Sequence, residues 1–483
     1  MVAAMRYPVL LAALCAAVAP VSAYAQSEDP AAGVSEDRLR ADVEAMVAFG
    51  TRHTLSSQTD PDRGIGAAIE WGLDRFAQTS AACGGCLQTM FIEDSVTGRR
   101  IPDPVRIRNA VAIQRGTERP NEVVIIQGHI DSRGSDVMDA EVEAPGANDN
   151  ASGSALVLEA ARQLSQRQYP TTIVYALLSG EEQGLYGGNL MADYAVEQGW
   201  TVKAVLNNDV VGGSCGSDGV CDDAHVRVFS EGVRADAGDD VRGAMRSRGG
   251  ANDSPSRNLS RWLDTLAAEY DDGLDVRQTW RSDRMGRGGD HLPFLDRGLP
   301  AIRMSVAIED YEHQHQDLRV EDGVTYGDTV DEMDFPYLAG VTRFNIRAAD
   351  RLARAPMPPK VTAEAAVRTD TALAWSASMG AKEFYVYRRR TDAPNWEAKP
   401  VLVTSASYGG SPSTTGELNA SSIYGARHRP AEGELPYFAS LTAQRGDDWI
   451  FGISAVAADG TESPVSSAVP GGEFYPLPVD NEE

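Results

Sequence analysis

Five short clusters of acidic and imidazole side chains occur along this sequence, and their residue types are those that bind zinc. They are Gly128-His129-Ile130-Asp131, Asn148-Asp149-Asn150, Gly180-Glu181-Glu182, Asn208-Asp209, and His313 four residues before Asp317. Imidazole nitrogen and carboxylate oxygen bind Zn²⁺ at about 2.0 to 2.2 Å, and a catalytic zinc keeps one position open for water. The ordered series therefore predicts a two-zinc hydrolase.

The number of clusters also fits the number of ligands that such a site needs. Two zinc ions about 3.5 to 4 Å apart need roughly five protein ligands, one of which bridges the ions. That number is supplied by His129, Asp149, Glu182, Asp209 and His313. Glu181 then remains as a carboxylate beside the ions, where a general base is needed.

Each cluster has a plainer explanation when it is taken alone. His129 is compatible with a hydrogen-bonded histidine at a strand end, Asp149 with a turn or a helix N-cap, and the Glu181-Glu182 pair with a solvated acidic turn. Asp131 lies two residues beyond His129 and can face the same way, so it is predicted to hold the other ring nitrogen. The zinc hypothesis depends on the order of the clusters.

Strands and helices alternate along the first 355 residues, and this pattern places the clusters. The near-continuous Val and Ile run at residues 123–127 suits a strand that is covered on both faces. Residues 172–178 and 202–207 are predicted strands, and residues 152–164 and 185–196 are predicted helices. The alternation predicts an α/β fold with a mostly parallel central sheet flanked by helices. Each strand is followed by a cluster, at the edge where open α/β sheets bind ligands.

The last part of the chain has a different pattern. The proline-rich stretch at residues 355–359 predicts a linker, and beyond it residues 384–387 and 449–456 alternate or run apolar. We therefore expect a catalytic domain over residues 26–355 and a small all-β sandwich over residues 356–483. The sandwich resembles a fibronectin type III domain, with Trp375 in an early strand. It contains no catalytic cluster, so a spacer or binding role is predicted.

The first 25 residues have the composition of a secretory signal peptide. Arg6 is their one positive charge, residues 9–21 are apolar, and Ala23-Tyr24-Ala25 ends the segment. The apolar run is shorter than the roughly twenty residues that a membrane anchor needs. The sequence therefore predicts cleavage after Ala25, export to a periplasm or the extracellular space, and no membrane insertion.

The charge balance argues against nucleic acid partners. The chain has 70 acidic and 44 basic residues, which gives a formal net charge of -26. Such a charge repels phosphate backbones and anionic lipids, and its plainest role is solubility.

Four cysteines lie beyond the predicted signal peptide, as the pairs Cys83 with Cys86 and Cys215 with Cys221. In an exported chain two local disulfides are favoured. The alternative is one structural zinc held by all four thiolates.

Taken together, the clusters resemble those of the secreted zinc aminopeptidases of the bacterial leucyl aminopeptidase type, a family that also contains glutaminyl cyclases and glutamate carboxypeptidase relatives. The resemblance covers roughly residues 35–353 and implies two zinc ions per chain. It implies Asp149 as the bridging ligand, Glu181 as the general base and Asp131 as the carboxylate that orients a ligand. The implied terminal ligands are His129, Glu182, Asp209 and His313. For the last ligand His315 is a second candidate, and His313 is favoured because its spacing to Asp317 fits the family pattern.

The resemblance implies removal of N-terminal residues from peptides, and three alternatives remain open. A carboxypeptidase-like relative has the same fold. A glutaminyl cyclase uses one zinc and typically lacks the first histidine, whereas His129 is present here. A receptor-like or adhesive protein with an inactive hydrolase domain is the third. The segment of residues 214–256 is longer and more polar than the corresponding segment of the family. The resemblance therefore does not determine the shape of the substrate pocket. The sequence does not indicate an oligomeric state.

Overall fold

The structure is a computed structural model that describes residues 29–272, 274–406 and 437–478. The predicted signal peptide lies outside the described residues, so its cleavage stays a prediction. Among the described residues, none of the helices combines the length and the apolar character needed to cross a membrane.

The helices and strands follow one another through the catalytic part of the chain and into a β-rich C-terminal part. The helices are α1 Glu36–Val47, α2 Gly64–Ala82, α3 Ser152–Leu164, α4 Tyr186–Glu197, α5 Asp239–Arg248, α6 Pro255–Ala267, α7 Leu292–Asp296 and α8 Phe335–Arg354. The strands of the first part are β1 Gln88–Gly98, β2 Ile101–Gln114, β3 Arg119–His129, β4 Thr171–Leu178, β5 Thr201–Asn208, β6 His225–Phe229, β7 Asp275–Thr279, β8 Ala301–Val306, β9 Arg319–Glu321 and β10 Val324–Tyr326. The strands of the C-terminal part are β11 Val361–Glu364, β12 Thr371–Trp375, β13 Glu383–Arg390, β14 Leu402–Ser405, β15 Tyr437–Leu441, β16 Trp449–Val456 and β17 Ser466–Ser467.

An eight-stranded sheet in the order β1-β2-β4-β3-β5-β8-β6-β7 forms the centre of the catalytic part. Its middle strands β4, β3, β5 and β8 are parallel, whereas β1, β2 and the β8–β6 pair introduce antiparallel contacts. The predicted α/β class with a mostly parallel sheet is therefore confirmed. Since β3, β4 and β5 run in the same direction, the residues that follow them meet at one edge of the sheet.

Strand β3 shows why the sheet lies between two layers of helices. Val124 and Ile126 belong to the core on one face, and Val123 and Ile125 belong to the core on the other face. All four side chains are fully buried. The continuous apolar run is thus explained by burial on both faces, as the sequence predicted.

One helix does not appear in the sequence pattern. Residues 218–255 are rich in Asp, Gly, Ser and Arg, a composition typical of loops, but besides the strand β6 they contain the helix α5 at Asp239–Arg248. This helix buries only Met245, so it has no apolar stripe to be detected. Its first turn carries Asp239 and Asp240 and its last turn Arg246 and Arg248, charges that favour the corresponding ends of the helix dipole.

The C-terminal part forms two antiparallel sheets, β11-β12-β15 and β14-β13-β16-β17, around a shared core. Trp375 of β12 is fully buried and contacts the rings of Phe384 and Tyr437. The predicted all-β character is observed. The specific likeness to fibronectin type III domains stays a prediction.

The two parts of the chain are joined by buried polar contacts. Asp253 is 3% exposed and forms an ion pair with Arg389 of β13, while Arg261 of α6 lies 3.8 Å from the same carboxylate. Asn258 of α6 also donates a hydrogen bond to Ser467 at 2.8 Å. The C-terminal part therefore packs on α6, which in turn covers the β7–β8 end of the central sheet.

Both predicted disulfides are present. Cys83 is bonded to Cys86 and Cys215 to Cys221. The alternative of a single zinc site built from the four cysteines is therefore wrong.

Candidate metal centre

Four of the predicted site residues are placed by the ends of three parallel strands. His129 is the last residue of β3, and Asp209 directly follows β5. Glu181 and Glu182 follow β4 after a turn at Gly180. The backbone φ of Gly180 is +84°, a conformation that residues other than glycine rarely adopt. The turn brings the two glutamates back over the end of the sheet.

Asp149 completes this group from the loop that precedes α3. Its backbone N–H and that of Asn148 donate to the carboxylate of Asp328, at 2.6 and 2.7 Å. The side chain of Asn150 donates to the carbonyl of Asn208 at 2.9 Å, which ties the loop to β5. The loop is therefore held from both sides, with the Asp149 carboxylate between the strand ends.

The two oxygens of Asp149 face two different histidines. Oδ1 lies 3.3 Å from Nε2 of His129, and Oδ2 lies 2.9 Å from Nε2 of His315. His129 Nε2 is also 3.6 Å from Asp209, and His315 Nε2 is 3.2 Å from Glu182. Asp149 thus stands between two groups of ligand atoms, one with His129 and Asp209 and the other with His315 and Glu182.

His313, the histidine favoured from the sequence, does not join this cluster. Its Nδ1 lies 2.8 Å from Asp310 and its Nε2 lies 3.6 Å from Glu332. His315 takes the expected position, because its left-handed backbone, with φ of +58°, turns the ring toward Asp149. The preference for His313, drawn from its spacing to Asp317, is corrected here by the geometry.

Asp131 is fully buried and connects two of the strand ends. Its carboxylate accepts hydrogen bonds from the backbone N–H groups of Glu181 and Glu182 at 3.3 and 3.2 Å, and from the hydroxyl of Thr54 at 3.0 Å. Nδ1 of His129 lies 3.1 Å from the backbone carbonyl oxygen of Asp131 and 3.5 Å from its carboxylate. Asp131 therefore fixes the position of the glutamate turn as well as facing the ring nitrogen that points away from the cluster.

The cluster has the composition and spacing of a cation site. Two ligands bonded at about 2.1 Å to one tetrahedral zinc are about 3.4 Å apart, and the four contacts to Asp149, Asp209 and Glu182 span 2.9 to 3.6 Å. Among the described residues, Asp149 Oδ1, Glu182 Oε1 and Asp209 Oδ2 are buried without a hydrogen-bond partner. Buried carboxylate oxygens of this kind need a positive partner, so the residues fit a metal.

The pKa shifts of the two histidines also indicate that the cluster favours a cation. Burial lowers the pKa of His315, but Glu182 and Asp149 outweigh it and raise the pKa to about 9. Burial likewise disfavours the His129 cation, yet its contacts with Asp131, Asp149 and Asp209 hold its pKa well above the ordinary value. The carboxylates thus favour positive charge strongly enough to offset desolvation.

Glu181 differs from its neighbour in both contacts and electrostatics. A carboxylate oxygen of Glu181 lies within 4.8 Å of ligand atoms of His129 and Asp209. Burial raises its pKa well above the ordinary value, and repulsion from Glu182 and Asp209 raises it further against the opposing effect of His129. A carboxyl group that is readily protonated at this position is suited to accept a proton.

Several residues around the cluster had no signal in the sequence. Arg133 donates to Glu182 at 2.9 Å and lies 2.7 Å from Nδ1 of His315. Arg303 of β8 contacts Asp209 at 2.8 Å, and Gln314 donates to Asp149 at 2.8 Å. Such residues are common along the chain, and only folding brings these three to the ligands.

The Asp290-His291 pair, which directly precedes α7, lies beside the cluster. Asp290 is 1% exposed and accepts a hydrogen bond from the backbone of Gly188 at 3.2 Å. Burial, with repulsion from Asp131 and Asp209, raises its pKa to about 8 despite the opposing effect of His129. His291 is fully buried, with Nε2 2.7 Å from the carbonyl oxygen of Ser282, which indicates a structural role in its loop.

Comparison with known sequences identifies relatives of this site. The profile described as Peptidase family M28 matches residues 109–323, which include each proposed zinc-binding cluster. A probable zinc metalloprotease of Leptosphaeria maculans is 41% identical over 370 residues, covering 75% of this chain and 85% of that protein. A probable zinc metalloprotease of Pyricularia oryzae is 38% identical over 450 residues, covering 91% and 83%.

Solved structures show the same fold at low sequence identity. Legionella pneumophila LapA matches with a TM-score of 0.50 and 19% identity, over 67% of this chain and 74% of that chain. LapB of the same organism matches with a TM-score of 0.50 and 18% identity, over 69% and 76%. These similarities support the α/β architecture described above.

Proposed function

Because this chain belongs to peptidase family M28 and its relatives are probable zinc metalloproteases, we propose that it is an exported aminopeptidase that removes N-terminal residues from peptides. The observation that carries the proposal is the position of Asp149, with one oxygen toward His129 and the other toward His315. A carboxylate placed between two groups of ligands is what a pair of ions requires.

We assign the ligands of two zinc ions from this geometry. One ion would be held by His129, Asp149 and Asp209, and the other by His315, Asp149 and Glu182. This set differs from the sequence prediction only in the last histidine, where His315 replaces His313. When bound, zinc acts as a Lewis acid that polarises the scissile carbonyl and makes water more acidic.

The remaining residues supply positioning and proton transfer. Glu181 accepts a proton from the attacking water and gives it to the departing amine, which breaks the peptide bond. Asp131 holds the backbone of Glu181 and Glu182 and keeps Nε2 of His129 directed toward Asp149. Glu181 and Asp131 are thus proposed as the base and its positioning residue.

Carboxyl groups beyond the proposed ligands support an aminopeptidase. Glu181 and Asp290 lie beside His129 and Asp209, and Oδ2 of Asp290 has no hydrogen-bond partner among the described residues, so it can accept a hydrogen bond from the free N-terminal amine of a substrate. The presence of His129 in the cluster disfavours the one-zinc cyclase, as the sequence indicated. The two disulfides are in keeping with export.

The test compares substrates that differ only at the N-terminus. Purified protein is assayed for zinc content and for hydrolysis of a peptide with a free N-terminus and of the same peptide acetylated there. We expect about two zinc ions per chain, chelator-sensitive hydrolysis of the free peptide, and little hydrolysis of the acetylated one. Equal turnover of both peptides would refute an aminopeptidase, and release of C-terminal residues would identify the carboxypeptidase-like alternative.

A further inference from the structure

A cavity of about 410 Å³ adjoins the candidate metal centre. Asp149 and Gln314 belong to its wall, and Gln314 Nε2 donates to Asp149 Oδ2 at 2.8 Å. Asp149 is only 4% exposed, and its Oδ1 accepts no hydrogen bond from the described residues. Because Asp149 is also one of the proposed zinc ligands, the cavity lies directly beside the metal centre.

The lining of the cavity is strongly acidic. Its carboxylates are Asp149, Asp310, Asp328, Asp331, Glu332 and Asp334, and they are accompanied by one arginine, Arg40. A cleft lined by one sign of charge between low-dielectric walls concentrates its electrostatic potential. The cavity therefore favours a cationic group.

Some of these carboxylates are already engaged with the protein. Asp328 accepts the backbone N–H groups of the loop at Asp149, and Asp334 caps α8 and accepts from Ser214 at 2.7 Å. Asp331 and Glu332 are lining residues with exposed side chains, and within the described part of the chain the Glu332 carboxylate has a single ion-pair contact, 3.6 Å from His313. These two carboxylates are thus placed to meet a ligand.

The apolar part of the lining suits a long side chain that carries its charge at the end. Val210, Met333 and Phe335 line the cavity together with the acids. The guanidinium of Arg40 lies 3.9 Å from the centre of the Phe335 ring, so Arg40 occupies that ring face and Val210 and Met333 supply the rest of the apolar lining. Apolar surface beside an acidic end is the environment in which an aliphatic stem and a charged head are both favoured.

We propose that this cavity receives the side chain of a lysine or arginine residue next to the bond that is hydrolysed. The inference depends on the proposed peptidase function and adds a substrate class to it. The basic residue can stand on either side of the scissile bond, and the test separates the two positions.

The first experiment compares four dipeptides, Arg-Ala, Ala-Arg, Leu-Ala and Ala-Leu. We expect kcat/KM for one arginine-containing dipeptide to exceed that of its leucine counterpart by roughly tenfold or more. In the double variant Asp331→Asn with Glu332→Gln, the ratio of arginine to leucine kcat/KM should fall about tenfold. The control is Glu321→Gln with Asp322→Asn, a neighbouring acidic pair outside the cavity lining, and its ratio should not change.

A second experiment measures binding without turnover. Calorimetry on the zinc-loaded protein compares L-arginine with L-norleucine, which has an uncharged side chain of similar length. Tighter binding of arginine, lost in the Asp331→Asn, Glu332→Gln variant, supports the proposal. Equal binding, or equal hydrolysis of the arginine and leucine dipeptides, overturns it while the peptidase function stands. If none of the four dipeptides is hydrolysed but arginine still binds more tightly than norleucine, the result counts against the aminopeptidase assignment instead.

Discussion

The two histidines near the end of the catalytic domain provide the sharpest test of the metal centre. Replacing His315 by alanine removes a ring nitrogen that lies 2.9 Å from Asp149 and 3.2 Å from Glu182. The ligands assigned to the second ion then fall from three to two, while His129, Asp149 and Asp209 still hold the first. We therefore expect the zinc content to fall from about two ions per chain to about one.

The size of the activity loss follows from what the second ion contributes. If that ion supplies about 4 kcal/mol of transition-state stabilisation, hydrolysis should fall roughly a thousandfold in kcat/KM. His313→Ala is the matched control, because the same substitution two residues away removes contacts only with Asp310 and Glu332. That variant should keep both ions and lose less than about tenfold in kcat/KM.

The assay combines zinc analysis of dialysed protein with steady-state hydrolysis of an unblocked peptide. Circular dichroism on each variant establishes that the fold is intact. Loss of one zinc ion from His313→Ala, with both ions retained in His315→Ala, would refute the assignment drawn from the geometry. Loss of both ions from His315→Ala would show instead that the two sites are not independent.

Three further predictions address the base, the domain contact and pH. Glu181→Gln should keep both zinc ions but lose most of its activity, because the amide cannot take up the proton; near-normal turnover would show that another group is the base. Arg389→Met should lower the free energy of unfolding by about 3 kcal/mol, because it leaves the buried Asp253 with a 3.8 Å contact to Arg261 and a 3.4 Å hydrogen bond from Ser467, and unchanged denaturant unfolding would contradict this. Burial raises the pKa of Glu231 to about 8 from an ordinary 4.5, so the folded state retains a proton that the unfolded chain releases, and stability should fall as the pH rises between these values. Glu231→Gln should therefore raise the free energy of unfolding at pH 8 by on the order of 3 kcal/mol relative to its effect at pH 5, and an effect that does not vary with pH would exclude this explanation.

The domain contact changes how the C-terminal part is understood. From the sequence it was expected to be a spacer or a binding module. In the structure, Arg389 and Ser467 reach the buried Asp253 and Asn258, and Arg261 of α6 donates to the carbonyl of Pro394 at 2.6 Å. These contacts support the helix that covers one end of the central sheet, so the C-terminal part contributes to the catalytic domain as well.

The sequence alone predicted the class of fold, which the structure confirms, and a zinc centre at the ends of its strands. Continuous apolar runs are typical of strands covered on both faces, and the parallel direction of β3, β4 and β5 places the residues after them at one edge. His129, Glu182 and Asp209 are proposed as ligands in this way, because their positions follow from where a strand ends. Those signals are local, and local patterns can be read from residue types and spacing.

Tertiary structure decided the features that depend on loops and on contacts between distant residues. His313 and His315 have the same side chain, and the left-handed backbone at His315 is what directs one ring, and not the other, at Asp149. Gln314 and Asp328 reach Asp149 from more than 160 positions away, so no spacing in the sequence indicates them. Helix α5 was likewise invisible, because only one of its residues is buried. The partners of a side chain across the fold depend on how the whole chain packs. They therefore do not follow from the local order of residues.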